Sequence, residues 1–323
     1  MTMLAAVSDQ YGSPDILRIE TVKKPVPKNH EVLIKVFATT VNRTDCAVLS
    51  GKPLIFRLFT GVIHPKRSVQ GTDFAGEIIS AGKNVTKFRE GDRVFGFDDV
   101  GLSSHAQYLI LSENNAMARI PDHITYEQAA ASIEGAHYAI NFLNKLDIQE
   151  GQKVLVNGAT GAIGSSAVQL LNNSGAKVTA VCRKKDEDLV KSIGALKVID
   201  YVNEDFTRPE EKFKFVFDAV GKSSFSRCKP ILERGGIYIS SEPGRMAQNI
   251  FLPMITAVFD TKKVVFPFPL DRAGSVLFMQ KLLREGKFLP VIDRRYSLEE
   301  IADAYRYVGK GQKTGNVIIS VQH

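Results

Sequence analysis

The sequence predicts an α/β protein with a β-rich domain and a second domain built on a doubly wound parallel sheet. Three observations predict this fold class. Short apolar strands alternate with helix-length segments over residues 123–266, and short strands separated by tight turns fill residues 1–122. A glycine-rich turn follows a buried strand at Gly158–Gly164. Strands that alternate with helices form parallel sheets, and such a glycine turn favours a nucleotide-binding sheet.

The β-rich domain is predicted from the first 122 residues. Glu31–Val41 and Asp73–Ser80 have strand-like sequences, with turns near Gly82 and Gly91. Tight turns between short strands indicate a small barrel-like or partly open β-domain.

The middle stretch, residues 123–266, carries the alternating pattern. Helices are predicted at Ser165–Asn173 and Asp186–Ile193, and strands at Lys153–Asn157, Lys177–Cys182, Lys197–Tyr201, Phe213–Ala219, Gly236–Ser240 and Lys263–Phe266. Segments of these lengths are typical of a doubly wound parallel sheet.

The tail, residues 267–323, contains two predicted helices and a terminal strand. The helices are Ser275–Glu285 and Ser297–Val308, and the second begins with a capping-box pattern. The strand is Gly315–Val321. The tail either continues the second domain or rejoins the first stretch, and the strand favours the latter. We therefore predict one domain from residues 1–122 plus 267–323 and another from residues 123–266.

Composition excludes several functional classes. The 323 residues are 44% hydrophobic and 24% charged, which is ordinary for a soluble protein. No secretory signal or apolar run of ~20 residues is evident, so we expect a cytoplasmic protein without a membrane partner. The net charge of +7 is spread along the chain without a nucleic-acid-binding motif, so no nucleic-acid partner is expected. Three scattered cysteines, Cys46, Cys182 and Cys228, predict neither disulfides nor a thiolate metal site.

The glycine turn is the strongest local motif. Its candidate cofactor-binding residues are Gly158, Ala159, Thr160, Gly161, Ala162, Ile163 and Gly164. Glycines allow the backbone to approach a pyrophosphate, and the following helix directs free N–H groups and its positive dipole end toward it. The alternative is a turn that serves only helix–sheet packing.

The end of the next strand bears on which nicotinamide cofactor binds. Enzymes that use NAD usually carry a carboxylate there, which binds the ribose hydroxyls. This chain has Cys182-Arg183-Lys184-Lys185, and the first carboxylate is Asp186. Cations at this place favour NADPH, because a guanidinium pairs bidentately with a phosphate. An exposed, charged helix start is the alternative interpretation.

Taken together, the chain resembles the zinc-free quinone oxidoreductase branch of the medium-chain dehydrogenase/reductase superfamily. The matching motifs occur in family order over nearly the full length: Val41–Asp45, Gly71–Gly76, Gly91–Gly96, Val154–Gly164 and Lys197–Tyr201. The resemblance implies a GroES-like β-rich catalytic domain, a Rossmann NADP-binding domain, an active-site cleft and a homodimer.

The resemblance also bears on metal and chemistry. Zinc-dependent members carry Cys where this chain has Asn42, and Gly-His-Glu where it has Gly71-Thr72-Asp73. Zinc requires about four N, S or O donors, so we expect no metal. The implied reaction is hydride transfer from NADPH to a quinone or an α,β-unsaturated carbonyl. Alternatives are a ketone or alcohol oxidoreductase of the same superfamily and a non-catalytic NADPH-binding protein.

The same resemblance supplies candidate catalytic residues. Asn42 would donate to a substrate or nicotinamide carbonyl, whereas Asp45 either takes part directly or caps a helix that starts near Cys46. His137 lies where many relatives have threonine. It is either a proton donor or a histidine whose hydrogen bonds are satisfied at a helix start.

Further cofactor contacts are implied for residues outside the glycine turn. Tyr201 matches a family tyrosine beside the 2′-phosphate, or else packs against the sheet. The remaining candidates are Cys182, Arg183, Lys184 and Val220, together with Lys313 and Asn316 in the tail. The apolar segment Pro53–Val62 forms either a lid through Phe56, Leu58 and Phe59 or part of the core.

Overall fold

A computed structural model describes residues 1–52, 54, 57–208 and 210–323 of the chain. The chain folds into two compact units. Unit 1 comprises Met1–Glu134, Arg272–Gly286 and Pro290–His323, and unit 2 comprises Gly135–Asp271 and Lys287–Leu289. The predicted fold class, with a β-rich unit and a parallel-sheet unit, is confirmed.

The first part of unit 1 is mostly β-structure. Its elements are β1 (Thr2–Val7), β2 (Arg18–Lys23), β3 (Glu31–Val41), α1 (Arg43–Ser50), α2 (Arg57–Thr60), β4 (Asp73–Ala81), β5 (Arg93–Phe97), β6 (Tyr108–Ser112), β7 (Met117–Arg119) and α3 (Tyr126–Ala131). The long strand β3 has the predicted bounds and pairs antiparallel with both β4 and β6. Its apolar side chains, such as Val32, Ile34 and Val36, belong to the core of unit 1.

Unit 2 contains the doubly wound sheet. Along the chain come α4 (Glu134–Leu143), β8 (Lys153–Asn157), α5 (Ala162–Asn173), β9 (Lys177–Cys182), α6 (Glu187–Ser192), β10 (Lys197–Asp200), β11 (Phe213–Asp218), α7 (Phe225–Cys228), β12 (Leu232–Ser240), α8 (Gln248–Phe259) and β13 (Lys263–Val265). The strands are parallel in the order β10-β9-β8-β11-β12-β13. Helix α5 starts at Ala162, before the predicted Ser165. Helix α6 starts at Glu187, just after the predicted Asp186.

The tail returns to unit 1. It forms α9 (Arg272–Arg284), β14 (Ile292–Ser297), α10 (Ile301–Gly309) and β15 (Asn316–Ser320). Strand β15 pairs antiparallel with β3, as its sequence favoured. Strand β14 was not predicted. Ser297, the expected start of the second tail helix, is the last residue of β14, and the Glu300 carboxylate accepts its N–H at 2.8 Å.

The unit boundaries differ from those predicted. The first lies after Glu134 rather than residue 122, because α3 packs against β3, β4 and β15 of unit 1. The second lies after Asp271 rather than residue 266. Among the described residues, no helix is both long and apolar enough to cross a bilayer.

The apolar segment near residue 55 is only partly described. Pro53 and Phe56 lie outside the described residues, as does the side chain of Phe59. Leu58, on α2, is exposed, so this residue of the segment is not core.

Candidate active site

The glycine turn joins β8 to α5 in unit 2, as predicted. Gly158 has a φ of +79°, a conformation that side chains rarely adopt. A Cβ on Gly158 would lie 2.4 Å from Val220 Cγ1, and a Cβ on Gly164 would lie 2.1 Å from Gly158 O. Both positions therefore require glycine for the turn itself, before any ligand is considered.

The start of α5 fits the pyrophosphate of a dinucleotide. Gly161 is the N-cap and contributes no side chain, and its carbonyl accepts the first intrahelical bond from Ser165 N at 2.8 Å. The N–H groups of Ala162, Ile163 and Gly164 precede that bond, where a helix offers donors without intrahelical acceptors. The N–H groups of Gly158 and Ala159 instead bind Val181 O at 3.1 and 3.2 Å.

A buried aspartate holds the neighbouring loop in place. Asp218 ends β11 and accepts Asn157 Nδ2 at 3.0 Å, which ties β11 to the end of β8. The same carboxylate accepts the N–H groups of Val220 and Gly221 at 3.3 and 3.0 Å. Val220, a predicted cofactor contact, is thus positioned beside Gly158. Sequence reasoning missed Asp218, although an acidic residue at the end of an apolar strand was a usable signal.

Arg183 and Tyr201 meet at the ends of β9 and β10. Arg183 Nε donates to Tyr201 Oη at 2.8 Å, and both side chains are exposed, Tyr201 by 48%. Tyr201 is therefore not packed against the sheet. The other guanidinium N–H groups of Arg183 are hydrogen-bond donors that suit an anion.

The two neighbours of Arg183 are engaged differently. Lys184 forms an ion pair with Glu187 on the first turn of α6. The Cys182 side chain is buried, and burial raises the pKa of its thiol to about 12. Its carbonyl accepts Tyr201 N at 3.2 Å, so Cys182 shapes this corner through its backbone.

His137, on α4 of unit 2, is fully buried. Its Nε2 lies 3.3 Å from Pro269 O, and its Nδ1 lies 3.2 Å from Asn141 Nδ2. Its two ring nitrogens thus face a backbone carbonyl and a side-chain amide. The proposed proton-donor role for His137 stays a prediction.

A separate group of polar side chains lies inside unit 1, around Asn42. Asn42 Nδ2 donates to Thr40 Oγ1 at 2.6 Å, and Lys313 Nζ donates to Asn42 Oδ1 at 3.0 Å. The Thr40 hydroxyl in turn donates to Asp73. We call Thr40, Asn42, Asp73, Glu134 and Lys313 the polar cluster.

Asp73 anchors the polar cluster to the sheet. Its carboxylate accepts Thr40 N at 2.8 Å and the Thr39 hydroxyl at 3.2 Å. Burial raises the pKa of Asp73 to about 6, although these hydrogen bonds oppose the rise.

Asp45 lies next to the polar cluster at the start of α1. It accepts Asn42 N at 2.8 Å, which is the carboxylate half of a capping box, and the Thr72 hydroxyl at 3.2 Å. The capping alternative therefore describes its contacts, although α1 starts at Arg43 rather than near Cys46. Burial, together with the negative charges of Glu134 and Asp73, raises its pKa well above the usual range.

Glu134 is the most unusual member of the polar cluster. It is 4% exposed, and its Oε2 has no hydrogen-bond partner among the described residues. Burial and the nearby Asp73 charge raise the pKa of Glu134 to about 7, against hydrogen bonds from Thr44 and Asn42 and the charge of Lys313. Sequence reasoning missed both Glu134 and Asp73. A glutamate inside the apolar stretch before His137 was the available signal.

The two predicted tail contacts have partners within unit 1. Lys313 Nζ binds Asn42 Oδ1 and, at 2.5 Å, Gly315 O. Asn316 is buried, and its amide donates to Ala131 O and Val291 O at 3.0 and 3.1 Å. Both amide hydrogens of Asn316 are thus used by backbone carbonyls, which leaves only its Oδ1 for a ligand.

These two sites place the protein in one class, the two-unit dehydrogenases whose second unit has the parallel-sheet fold that binds a nicotinamide cofactor. Residues 28–122 match the model of the alcohol dehydrogenase GroES-like domain, and residues 193–319 match that of the zinc-binding dehydrogenase. Among the described residues, no group of three or more His, Cys, Asp or Glu side chains is arranged to hold a metal ion.

Known relatives narrow the class. The chain is 32% identical to a chloroplastic quinone-oxidoreductase homolog of Spinacia oleracea, over 95% of each chain. It is 30% identical to a 2-methylene-furan-3-one reductase of Solanum lycopersicum, over 96% of this chain and 76% of the relative. The structure of a quinone oxidoreductase from Coxiella burnetii covers 100% of both chains, with a TM-score of 0.85 at 24% identity. The chain belongs to the medium-chain dehydrogenase/reductase superfamily, in its quinone oxidoreductase branch.

Proposed function

We propose that the protein is an NADPH-dependent reductase that transfers a hydride to a quinone or an α,β-unsaturated carbonyl without zinc. The observation that carries the proposal is the hydrogen-bonded Asn42, which Lys313 and Thr40 engage at a position where zinc-dependent relatives carry a cysteine ligand. An amide in that state is a poor zinc ligand. The printed names of the relatives, a quinone oxidoreductase homolog and a furanone reductase, support the same acceptor classes.

The proposed cofactor is NADPH, held by unit 2. The turn at Gly158–Gly164 and the start of α5 would bind the pyrophosphate, and Arg183 with Tyr201 would bind the 2′-phosphate. NADPH supplies the hydride when bound. The residues of the chain bind and orient it, exclude water, and provide a proton.

Turnover is the direct test of this function. Nicotinamide absorbance should fall when purified protein is mixed with NADPH and quinones or enones, but not with saturated ketones alone. Faster turnover of ketones or alcohols would favour the other oxidoreductase class. If NADPH binds and no acceptor is reduced, the protein is a non-catalytic NADPH-binding protein. One stoichiometric zinc per chain would contradict the zinc-free mechanism.

Cofactor choice has its own test. We expect Arg183→Ala to weaken NADPH binding by roughly 10- to 100-fold, because a charge-assisted bond to phosphate contributes about 1.5–3 kcal/mol. NADH binding should change little. Arg208→Ala, another exposed arginine of unit 2, is the matched control. Equal losses for both cofactors in Arg183→Ala would rule out a phosphate contact.

We further propose that the protein is a homodimer joined through unit 2. Helix α8 exposes apolar side chains one turn apart, Phe251, Met254 (76% exposed) and Val258, while its polar Asn249 and Thr256 are buried. The adjacent β13 is the last strand in the sheet order, and no described strand pairs with its outer edge, which suits pairing with the same strand of a second copy. Sedimentation should give a dimer that Met254→Glu dissociates. Leu196→Glu, at another exposed apolar site, should leave it intact.

A further inference from the structure

An exposed apolar turn in unit 1 is not used by the proposed function. It comprises residues 57–68, which we call the apolar turn, and its tip is formed by Val62 and Ile63. Leu58, Val62 and Ile63 are 63, 66 and 76% exposed, so these large aliphatic side chains face solvent within a short stretch of chain. Single exposed apolar residues are ordinary on a protein surface, whereas a group of them marks a binding surface.

The backbone of the apolar turn is fixed by hydrogen bonds. Lys66 N donates to Thr60 O at 2.7 Å, which closes the turn. Tyr11 Oη donates to Gly61 O at 2.6 Å, which ties the turn to the N-terminal part of unit 1. Gly61 has a φ of +129°, and a Cβ there would lie 2.0 Å from His64 O, so the turn requires glycine at this position. The exposed side chains are therefore presented by a defined backbone.

The charge along this part of the chain is positive. No Asp or Glu occurs between Asp45 and Asp73 in the sequence, whereas Lys66 and Arg67 closely follow the tip and are exposed. Apolar side chains flanked by cations are typical of segments that lie on an anionic membrane surface.

The acidic side chains on the two segments that hydrogen-bond to the apolar turn face cations of their own. Asp98 lies 3.5 Å and Asp99 lies 2.5 Å from the guanidinium of Arg272. Asp9 pairs with Arg18 at 2.9 Å. These carboxylates are therefore paired elsewhere, and the positive charge beside the tip is available to an anionic partner.

The type of side chain favours a lipid surface over a protein partner. The residues that contribute most to protein interfaces are enriched in Trp, Tyr and Arg, whereas Leu and Val are under-represented there. Aliphatic side chains are buried among lipid chains without a complementary pocket. The composition predicts no membrane partner because the sequence has no apolar run of ~20 residues, but binding to a bilayer surface needs no such run.

We propose that the apolar turn binds unit 1 to the surface of an anionic lipid bilayer. Val62 and Ile63 enter the boundary between headgroups and acyl chains, and Lys66 and Arg67 bind the anionic headgroups. The inference goes beyond the proposed function and does not depend on it, since this binding requires neither a cofactor nor an acceptor. Binding should weaken with salt, because the screening length falls from about 10 Å at 0.1 M to about 3 Å at 1 M.

Co-sedimentation with vesicles tests the contribution of charge. The protein should bind vesicles of phosphatidylcholine with about 30% phosphatidylserine, and bind pure phosphatidylcholine vesicles at least about 10-fold more weakly. Lys66→Gln combined with Arg67→Gln should weaken binding about 20- to 30-fold, because each basic residue near an anionic surface contributes roughly fivefold. Lys83→Gln combined with Lys310→Gln removes the same charge from exposed positions elsewhere in unit 1, and should bind like the wild type.

A second pair of variants tests the contribution of the tip. Val62→Ser combined with Ile63→Ser should weaken binding to the anionic vesicles by about 10-fold or more, because the burial of both apolar side chains is lost. Leu196→Ser, at a 61% exposed position of unit 2, is the control. The chain has no tryptophan, so Ile63→Trp supplies a single fluorophore. Its emission should shift to the blue on anionic vesicles, whereas that of Leu196→Trp should not.

The outcomes separate this inference from its alternatives. Weaker binding by both variants of the apolar turn, with the controls and all thermal unfolding transitions as in the wild type, supports it. Equal binding to neutral vesicles, binding that both variants retain, or no binding to any vesicle would overturn it. If the wild type ignores vesicles and the tip variant changes its oligomeric state, the turn contacts a second copy, which also overturns it. Turnover of acceptors in solution is measured separately, so failure of the proposed function is distinguishable.

Discussion

The two sites of this protein depend on opposite kinds of chemistry. In unit 2, the glycine turn relies on backbone shape, and the charged side chain of this site, Arg183 after β9, is exposed to solvent. In unit 1, the polar cluster relies on buried ionisable side chains whose pKa values are displaced toward neutrality. A part of a ligand that does not change chemically can be bound by a rigid turn of the backbone. A step that moves a proton needs groups that change charge near the working pH.

The contrast also concerns the cost of each site to folding. The glycine turn costs little folding free energy, because its glycines fit where a side chain would clash. The polar cluster buries carboxylates, and one of them has an oxygen without a partner among the described residues, so the cluster reduces the free energy of unfolding. Such local destabilisation is typical of functional sites. Three experiments test this comparison.

The largest effect is expected in the glycine turn. Gly164→Ala should destabilise unit 2 by about 3 kcal/mol or more and abolish cofactor binding, because its Cβ would lie 2.1 Å from Gly158 O. Thermal unfolding and NADPH titration measure both effects. Gly161→Ala is the control, since its Cβ would be 3.7 Å from the same oxygen. It should keep the stability of the wild type. A stable, NADPH-binding Gly164→Ala would refute the steric argument.

A smaller, pH-dependent effect is expected in the polar cluster. The pKa of Glu134 is raised from 4.5 to about 7, so its protonated form favours the folded state, and this contribution to stability is lost as the pH rises between those values. At about 1.4 kcal/mol per pKa unit, the loss is roughly 3 kcal/mol. Glu134→Gln removes the titration. Relative to wild type, it should therefore become more stable between about pH 5 and about pH 8.

Urea unfolding at the two pH values measures this difference. Glu113→Gln is the control, because backbone N–H groups of Lys87 and Thr86 lower the pKa of Glu113 below its usual value. Stability from Glu113 is present above the ordinary pKa and lost only at more acidic pH, so the control should show no change over the same interval. If the difference in the free energy of unfolding between Glu134→Gln and the wild type does not depend on pH, folding does not raise the pKa of this carboxyl.

The smallest effect is expected at Tyr201. Tyr201→Phe removes the hydroxyl that binds Arg183 Nε and should weaken NADPH about threefold, since a single neutral hydrogen bond contributes roughly 1 kcal/mol or less. Binding of NADH should be unaffected. Tyr11→Phe, in unit 1, is a control hydroxyl whose hydrogen bonds lie within that unit. A loss as large as that of Arg183→Ala would mean that Tyr201 itself binds the phosphate.

Some elements were predictable because their determinants are local. The strand bounds of β3, β8 and β9 follow directly from runs of apolar residues, and the glycine turn follows from its spacing. Strand β14 was missed because its residues, including Arg294 and Arg295, are polar and its place depends on pairing with β15. The residues of α3 fall in the second predicted domain but belong to unit 1 of the structure, because only packing against β3 and β4 reveals their unit.

The fold class, the family and the glycine turn can be predicted from the sequence alone, because hydrophobic periodicity and turn stereochemistry act over a few residues. The surroundings of Lys313 and Glu134 are set by the tertiary structure. They are far apart along the chain, and their acidity depends on burial and on charges brought together by folding. Lys313 donates to Asn42 Oδ1 within unit 1, and its cofactor contact stays a prediction.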